Sequence, residues 1–527
     1  MKVDVKSFLA FLKVLCAGFI SAAESPNFVI FYVDDLGWAD TSVRMMDSDP
    51  DSASDFHQTP HLAALAKRGM KFSNAYAPAP TCTPSRKSIQ FGKTPGRLGY
   101  TFVHDVLALQ RKLEWKDETS LADVVKAADP NYITAHFGKG MGNERMETIG
   151  YDVTDELEKH SDNGNYHGDF ISLKNRTKLP PDNPKRMASL LKSSVDFVNA
   201  HSGKRPFLMM VSHYAVHVPH AARADLIKKY RKLPRGKYLT DSDYLPVDEM
   251  PKGKVISSWR LQYAAMLEEC DEGLGAIVAA LKKTGQLNNT IIIFTSDNGG
   301  GLGPNGTLRG GKANLYEGGL RVPFVVAGPG VKAGAQCDVP VSQWDLLPTL
   351  HDYARSAKPL PKGLDGASLR GVFEKGNGGK VQRPVEGFVF HYPCYFAPPL
   401  TVIRLGDYKF MEHHLSGEQK LFNVKTDYAE KTNLIESMPE KASELRTVMS
   451  RYLDSIDAED VQDVYKARFA ELDRFEAMAR QNHAKSIERA KGNQQLITAA
   501  DAKLKEQLKR FARNRKECRA NMQGKTF

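Results

Sequence analysis

Three stretches decide the fold: Pro26-Asn27-Phe28-Val29-Ile30-Phe31-Tyr32-Val33, Pro206-Phe207-Leu208-Met209-Met210-Val211-Ser212-His213 and Thr290-Ile291-Ile292-Ile293-Phe294-Thr295-Ser296-Asp297-Asn298. Each is a continuous apolar, β-branched run with no polar alternation. Such runs suit strands buried on both faces. Each breaks into polar residues at its C-terminal end, the first into Asp34-Asp35-Leu36-Gly37. Helical patterns lie between them, as at Thr59 to Gly69 and Ser257 to Leu281. Alternating strands and helices predict an α/β fold: a large central mixed, mostly parallel sheet flanked by helices. In such sheets ligands bind beyond the C-terminal ends of the strands, so those polar ends are the first candidates for a site.

Working outward, residues 359–380 are rich in Gly, Pro and Lys and mark a boundary. Short strand-like pieces follow at Gly387–His391, Leu400–Leu405, Tyr408–His413 and Lys420–Val424. They predict a small C-terminal antiparallel-sheet subdomain. From about Pro439 the pattern is helical and highly charged. In the basic stretch Lys503 to Arg519, Leu504, Leu508 and Phe511 recur at helical spacing. One reading is a solvated helix docked by its single apolar stripe; the other is an arm that holds polyanions. The organisation expected is therefore a leader at 1–23, a catalytic unit at 24–375, a small α+β subdomain at 380–455 and a basic helical tail at 456–527.

Met1-Lys2, the apolar run Phe8 to Ile20 and the small residues Ser21-Ala22-Ala23 together read as a secretory signal peptide cleaved after Ala23. The run is too short for a membrane anchor and Lys13 interrupts it. A secreted or periplasmic protein without a membrane span is expected. The chain has 527 residues, 41% hydrophobic and 26% charged, which excludes bulk disorder. A net charge of +11 favours polyanionic partners without choosing among them. Of the cysteines, Cys82, Cys270, Cys337, Cys394 and Cys518 remain after cleavage. Their odd number and wide spacing argue against a disulfide scaffold and single out one cysteine for another fate.

Asp34-Asp35 and Asp297-Asn298 each suit a turn when taken alone. Together, at two strand ends of one sheet, their oxygens can converge on one hard cation, Ca²⁺ or Mg²⁺. Cys82-Thr83-Pro84-Ser85-Arg86 opens a helix, since Pro84 is tolerated in its first turn. Cys82 then sits at a helix N-terminus, where anions bind, with Arg86 one turn along on the same side. Cys82 could be a thiolate nucleophile or a buried structural thiol. Lys139, His217 and Lys312 lie in loops rich in Gly or Pro. Near a bound oxyanion they would supply the positive field that transfer of a sulfuryl or phosphoryl group needs.

Cys82-Thr83-Pro84-Ser85-Arg86 resembles the signature of the type I, formylglycine-dependent sulfatases of the alkaline phosphatase superfamily. Val33-Asp34-Asp35-Leu36-Gly37, Thr59-Pro60-His61-Leu62, Gly150-Tyr151-Asp152, Thr295-Ser296-Asp297-Asn298-Gly299, Glu317-Gly318-Gly319 and Trp344-Asp345-Leu346-Leu347-Pro348-Thr349 are similar to further family blocks, in the same order. So are Leu421-Phe422-Asn423 and Glu430-Lys431-Thr432-Asn433-Leu434. The likeness reaches to about residue 455 and does not include the tail. It implies conversion of Cys82 to formylglycine by a formylglycine-generating enzyme. The hydrated aldehyde attacks sulfur through one hydroxyl, and deprotonation of the second expels sulfate. It also implies Ca²⁺ on Asp34, Asp35, Asp297, Asn298 and the modified residue 82. Arg86 and Lys139 orient the diol, while His217 and Lys312 bind a sulfate oxygen and assist the leaving alcohol. Asp297 helps deprotonate the attacking hydroxyl.

One block departs. The family reads Gly-Lys-Trp-His-Leu-Gly where this chain has Gly138-Lys139-Gly140-Met141-Gly142-Asn143. A thioether cannot take a proton at neutral pH. His104 and His136 are the candidates to serve in place of the missing histidine. The expected activity is hydrolysis of sulfate esters on a sulfated polysaccharide or oligosaccharide. The alternatives are a phosphonate monoester or phosphodiester hydrolase of the same superfamily and a weakly active polysaccharide-binding homologue. Nucleic acid is not an expected partner.

Overall fold

The computed structural model describes residues 25–111, 113–142, 144–155, 166–167, 177–234, 236–239, 244–246, 254–301 and 305–522. The expected signal peptide lies outside the described residues. The three apolar runs form adjacent strands: β1 (Asn27–Val33) lies at the centre of an eight-stranded sheet, completed in chain order by β2 (Met70–Phe72), β3 (Ile133–Gly138), β4 (Val153–Thr154), β5 (Phe207–Ser212), β6 (Thr290–Ser296), β7 (Phe324–Ala327) and β8 (Ala335–Cys337). The spatial order is β8-β2-β7-β6-β1-β5-β3-β4. From β6 through β1, β5 and β3 to β4 every pairing is parallel. β7 runs antiparallel to both β6 and β2, and β8 is parallel to β2. The sheet is mixed and mostly parallel, as expected.

β1 shows why its sequence has no polar alternation. Phe28, Ile30 and Tyr32 face one core with α2 (Cys82–Phe91), α3 (Leu121–Ala128) and α6 (Leu346–Tyr353). Val29, Phe31 and Val33 face another with α1 (Pro60–Arg68), α4 (Met187–His201) and α5 (Ser258–Lys283). Helices cover both faces, so both sets of side chains leave water. Register then fixes the site. Val33 pairs with Ser296, which brings Asp34 alongside Asp297. Gly138 pairs with Ser212, which puts Lys139 at the same edge.

A second, four-stranded antiparallel sheet follows: β9 (Phe388–Tyr392), β10 (Leu400–Leu405), β11 (Tyr408–His413) and β12 (Gln419–Asn423). The sequence places these strands to within one residue. One face packs on α7 (Pro439–Ser455), and the other joins Tyr76, Leu320 and Trp344 of the main body. The chain closes with a helical hairpin, α8 (Val461–Ala490) and α9 (Gln494–Met522). Asp460 caps α8 by accepting from the Gln462 and Asp463 amides. Leu504, Leu508 and Phe511 pack on Leu472 and Ala479, so the apolar stripe of α9 serves to dock it. No helix among the described residues is long and apolar enough to cross a membrane.

Candidate active site

The site forms where β1, β3, β5 and β6 end and the N-terminus of α2 meets them. Thr81, in extended conformation, precedes the helix, and Ser85 folds back to the Ala79 amide and carbonyl at 3.0 Å. α2 is buried along nearly its whole length. Cys82, only 8% exposed, is thereby held over the strand ends. One donor atom each from Asp34, Cys82 and Asp297 lie within 4.8 Å of one another.

Arg86 reaches the same place from one turn along. Its Nε donates to Asp297 Oδ2 at 2.7 Å, and its Nη2 lies 3.6 Å from Asp34 Oδ1. Its Nη1 donates to Ser212 Oγ at 2.5 Å and to the Lys139 carbonyl at 3.0 Å. Lys139 Nζ lies 2.5 Å from Asp34 Oδ2. Ser212, the first polar residue after Phe-Leu-Met-Met-Val, was not singled out from sequence. Its signal was its position at a strand end.

Asp35 takes a left-handed backbone, φ 63°, which a short polar side chain tolerates. Its amide donates to Asp297 Oδ1 at 3.0 Å, and its Oδ1 accepts from Asn298 Nδ2 at 2.9 Å. Lys312 Nζ donates to Asp35 Oδ2 at 2.7 Å, and His217 Nε2 lies 3.7 Å from the same oxygen. The loop that carries Lys312 is tied down by its amide to the Gly300 carbonyl and by the Ala313 amide to Pro80. It also folds tightly on Gly319, where an added Cβ would lie 1.9 Å from the Asn314 carbonyl. All the residues expected from sequence therefore converge: Cys82, Arg86, Lys139, His217 and Lys312 with Asp34, Asp35, Asp297 and Asn298.

The electrostatics follow from burial. Desolvation opposes ionisation of Asp34, but Lys139, His217, Arg86 and Lys312 outweigh it and hold the carboxyl well below its usual range. Burial and the adjacent Asp34 push Asp297 up to about 7. Burial disfavours the charges of Lys139 and Lys312, yet the carboxylates around them raise both above the ordinary lysine range. Burial lowers His217 despite Asp34 and Asp35. Two buried oxygens, Asp34 Oδ1 and Asn298 Oδ1, accept no hydrogen bond. Orphaned carboxylate and amide oxygens beside a second buried carboxylate fit a hard, oxygen-seeking cation.

The two candidates for the missing histidine are not here. His136 is buried in β3 with its ring against Tyr151, 5.4 Å between centroids, beneath α2. His104 is exposed on the loop after α2, where its carbonyl accepts from Tyr395. Met141 is buried in the hydrophobic core. Two His-x-x-x-His spacings, 57/61 and 213/217, also fail to make a metal pair. His57 bonds the Asp40 carbonyl, and His213 lies in the core against Phe31 with burial pushing it down to about 3.

The comparisons agree with this architecture. The sulfatase family model matches residues 26–356, and the chain belongs to that family. It is 28% identical over 461 residues to the choline-sulfatase of Rhizobium meliloti, covering 78% of this chain and 83% of that one. It is 29% identical over 422 residues to human arylsulfatase A, 76% of each chain. It is 29% identical over 326 residues to an ulvan-active sulfatase of Formosa agariphila, 59% of each chain. Among solved structures it is similar in fold to Ps i-CgsB in complex with a neocarrahexaose, with TM-score 0.63 and 24% identity over 82% of this chain and 93% of that one. BT4656 in complex with its substrate D-glucosamine-2-N,6-O-disulfate gives TM-score 0.65 and 21% identity over 82% and 98%. The protein is a sulfuric ester hydrolase.

Proposed function

We propose that the enzyme desulfates saccharides, as polymers or oligomers, using formylglycine made from Cys82 and a calcium ion. One observation carries the reading. A buried set of hard oxygens from Asp34, Asp35, Asp297 and Asn298 converges with Cys82, under three cations that cannot be neutralised at ordinary pH. Those four residues and the side chain at 82 would hold the ion, which supplies a fixed positive charge for sulfate oxygens. Formylglycine supplies, as its hydrate, a hydroxyl nucleophile and a second hydroxyl whose proton loss frees the product.

The remaining work falls to the chain's own groups. Arg86, clamped by Asp297 and Ser212, and Lys139, clamped by Asp34, orient residue 82 and stabilise negative charge there. Lys312 and His217 stand on the Asp35 side. Lys312 binds a sulfate oxygen as a permanent cation, and His217 assists the leaving alcohol. Its Nδ1 donates to the Val218 carbonyl at 2.5 Å, so Nε2, 3.7 Å from Asp35 Oδ2, is the nitrogen that takes up a second proton and passes it to the leaving oxygen. Asp297 helps deprotonate the attacking hydroxyl.

A saccharide substrate is supported by the net charge of +11 and by relatives and fold neighbours that carry saccharides in their descriptions. The leader-like residues 1–23 support action in a secreted or periplasmic setting, after maturation by a formylglycine-generating enzyme. We read the chain as a catalytic unit, a small α+β subdomain and a helical tail, with boundaries near 375 and 455. The test is a panel of sulfated oligosaccharides run beside aryl sulfate and aryl phosphodiester esters. Sulfate release from at least one oligosaccharide, with kcat/KM above that for either aryl ester, is expected. Preference for the phosphodiester would overturn the reading.

A further inference from the structure

Beside the helix that carries Cys82 lies an aromatic surface that the chemistry above does not use. β9 ends at Tyr392, and the loop that follows it carries Tyr395 and Phe396 between Pro393 and Pro398-Pro399. Tyr392 is buried in one hydrophobic cluster with Tyr76, Leu315 and Leu320, and its phenol is close to Thr81, the residue before Cys82, without a hydrogen bond to it. The Phe396 ring sits 6.4 Å from Tyr392, 5.6 Å from Tyr395 and 5.8 Å from Phe102, in each case close to edge-on. Those three rings are buried, whereas Phe396 is 45% exposed.

A single exposed aromatic is ordinary on a protein surface. This one differs in how firmly it is held. The loop is stiffened by proline at both ends. Its carbonyls are taken by the terminal hairpin: Asn521 Nδ2 donates to the Tyr395 carbonyl at 2.8 Å, and the Tyr465 hydroxyl donates to the Cys394 carbonyl at 3.3 Å. The Arg468 guanidinium lies over the Tyr395 ring at 4.4 Å. The Tyr395 hydroxyl in turn donates to the His104 carbonyl at 3.2 Å. The same hydrophobic cluster continues through Leu315 and Tyr316 to the loop of Lys312. The platform is thus fixed from behind and continuous with the site.

We propose that Phe396 stacks on the apolar face of the saccharide unit next to the sulfated one, and that the α8–α9 hairpin is the brace that presents it. This rests on the saccharide reading above. A pyranose offers a face of C–H groups that an aromatic ring can cover, and ligand sites combine such apolar walls with a few fixed polar groups. Pre-ordering by the hairpin removes the cost of arranging the ring when substrate arrives.

The test uses the full-length, matured enzyme, a sulfated oligosaccharide that the parent desulfates, and 4-nitrophenyl sulfate. Phe396→Ala should lower kcat/KM on the oligosaccharide by about fivefold to tenfold relative to 4-nitrophenyl sulfate, mainly through KM. Phe396→Trp should restore the ratio, and Asn521→Ala should lower it by a smaller factor. An unchanged ratio for Phe396→Ala, whether both substrates fall together or neither does, would overturn the platform while leaving the saccharide reading intact. A parent that hydrolyses 4-nitrophenyl sulfate but none of the carrageenan, ulvan, heparan or chondroitin oligosaccharides would overturn the saccharide reading, and the platform with it.

Discussion

Two clusters of buried charge in this molecule use the same residue types for different ends. At the strand ends, Asp34, Asp35 and Asp297 meet Arg86, Lys139 and Lys312. Some 280 positions along the chain from the first of these, Glu317 meets Arg321 and Lys409, with Glu430 close by. In that second cluster Glu317 accepts from Arg321, from Lys409 at 2.9 Å and from the Tyr76 hydroxyl at 2.6 Å. Lys409 also lies 2.9 Å from Glu430, whose other oxygen accepts the Glu317 amide at 2.7 Å. Burial is outweighed by Lys409 and Arg321, and Glu317 is held well below the usual carboxylate range. These bonds join the main body to β11 and the turn after β12, and both oxygens of Glu317 are fully used. The strand-end cluster leaves Asp34 Oδ1 and Asn298 Oδ1 without donors. In both clusters two carboxylates stand against each other, and burial with the neighbouring carboxylate pushes one of each pair, Asp297 and Glu430, up to about 7. The second cluster also has atoms without a hydrogen bond, Glu430 Oε1 and Nε and Nη1 of Arg404, but they lie in the joint between the small sheet and the main body, whereas the strand-end orphans are two oxygens beside Cys82 that a cation can use.

The difference can be tested by exchanging readouts. Asp297→Asn should lower kcat/KM by about 10³-fold or more, the scale of losing a preorganised charge at a reacting group. In calcium-free protein it should change Tm little, because relief of the Asp34 repulsion offsets the loss of the Arg86 pair. Kinetics with calcium and thermal melts after chelation check both halves. Glu317→Gln should do the reverse. It leaves Arg321 and Lys409 buried with one carboxylate fewer, a cost of about 3–5 kcal/mol. Denaturant titration should show that loss, and refolded enzyme at low temperature should keep most of its kcat.

Metal removal should also separate the two clusters. After chelation, calcium should restore activity and raise Tm, by up to about 2.7 kcal/mol of stability at a hundredfold excess over Kd. Zinc should do neither. Asp297→Asn should lose the calcium-dependent rise in Tm, and Glu317→Gln should keep it. A calcium shift that survives Asp297→Asn would place the ion elsewhere.

A further effect is expected in pH dependence. Glu459 lies buried between α7 and α8, its Oε2 accepting from Thr101 at 3.0 Å and its Oε1 3.2 Å from Arg111. Burial and the neighbouring Asp105 push it up to about 9. The folded protein therefore binds more protons here than the unfolded chain does. Its contribution to stability is greatest below the ordinary glutamate range and declines as pH rises toward 9. Glu459→Gln should flatten that decline, with melts at pH 6 and pH 8.5 as the measure. An unchanged decline in the variant would mean that Glu459 is ionised in the fold as it is in the unfolded chain.

Much of this was legible in the sequence because the central strands are buried on both faces. Their unbroken apolar runs, followed at once by acids, give away strand, direction and site together. β2 and β8 are three residues each and β7 is four. Segments that short carry no periodicity, and their pairing is dictated by neighbours far along the chain. The site acids were readable for the same reason as the strands. Ser212 and the pairing of Lys312 with Asp35 were not, because a lone serine or lysine has no local signature. Glu317-Gly318-Gly319 is recognisable as a block, but only the fold shows its purpose: a buried charge network at Glu317 and a tight backbone crossing at the glycines. Of the two histidines weighed as stand-ins near Met141, His136 fails on geometry. His136 sits on a strand whose alternation turns it under α2, a consequence of register rather than of spacing from Lys139.

The proposed function requires that residue 82 be modified at the strand-end oxygens. Peptide mass spectrometry of the Cys82 segment, on enzyme produced with and without a formylglycine-generating enzyme, tests it most directly. Formylglycine is expected at position 82 in a fraction that rises in proportion to aryl sulfatase activity, and Cys82→Ala protein is expected to be inactive. Full activity in a preparation whose residue 82 is wholly unmodified thiol would contradict it.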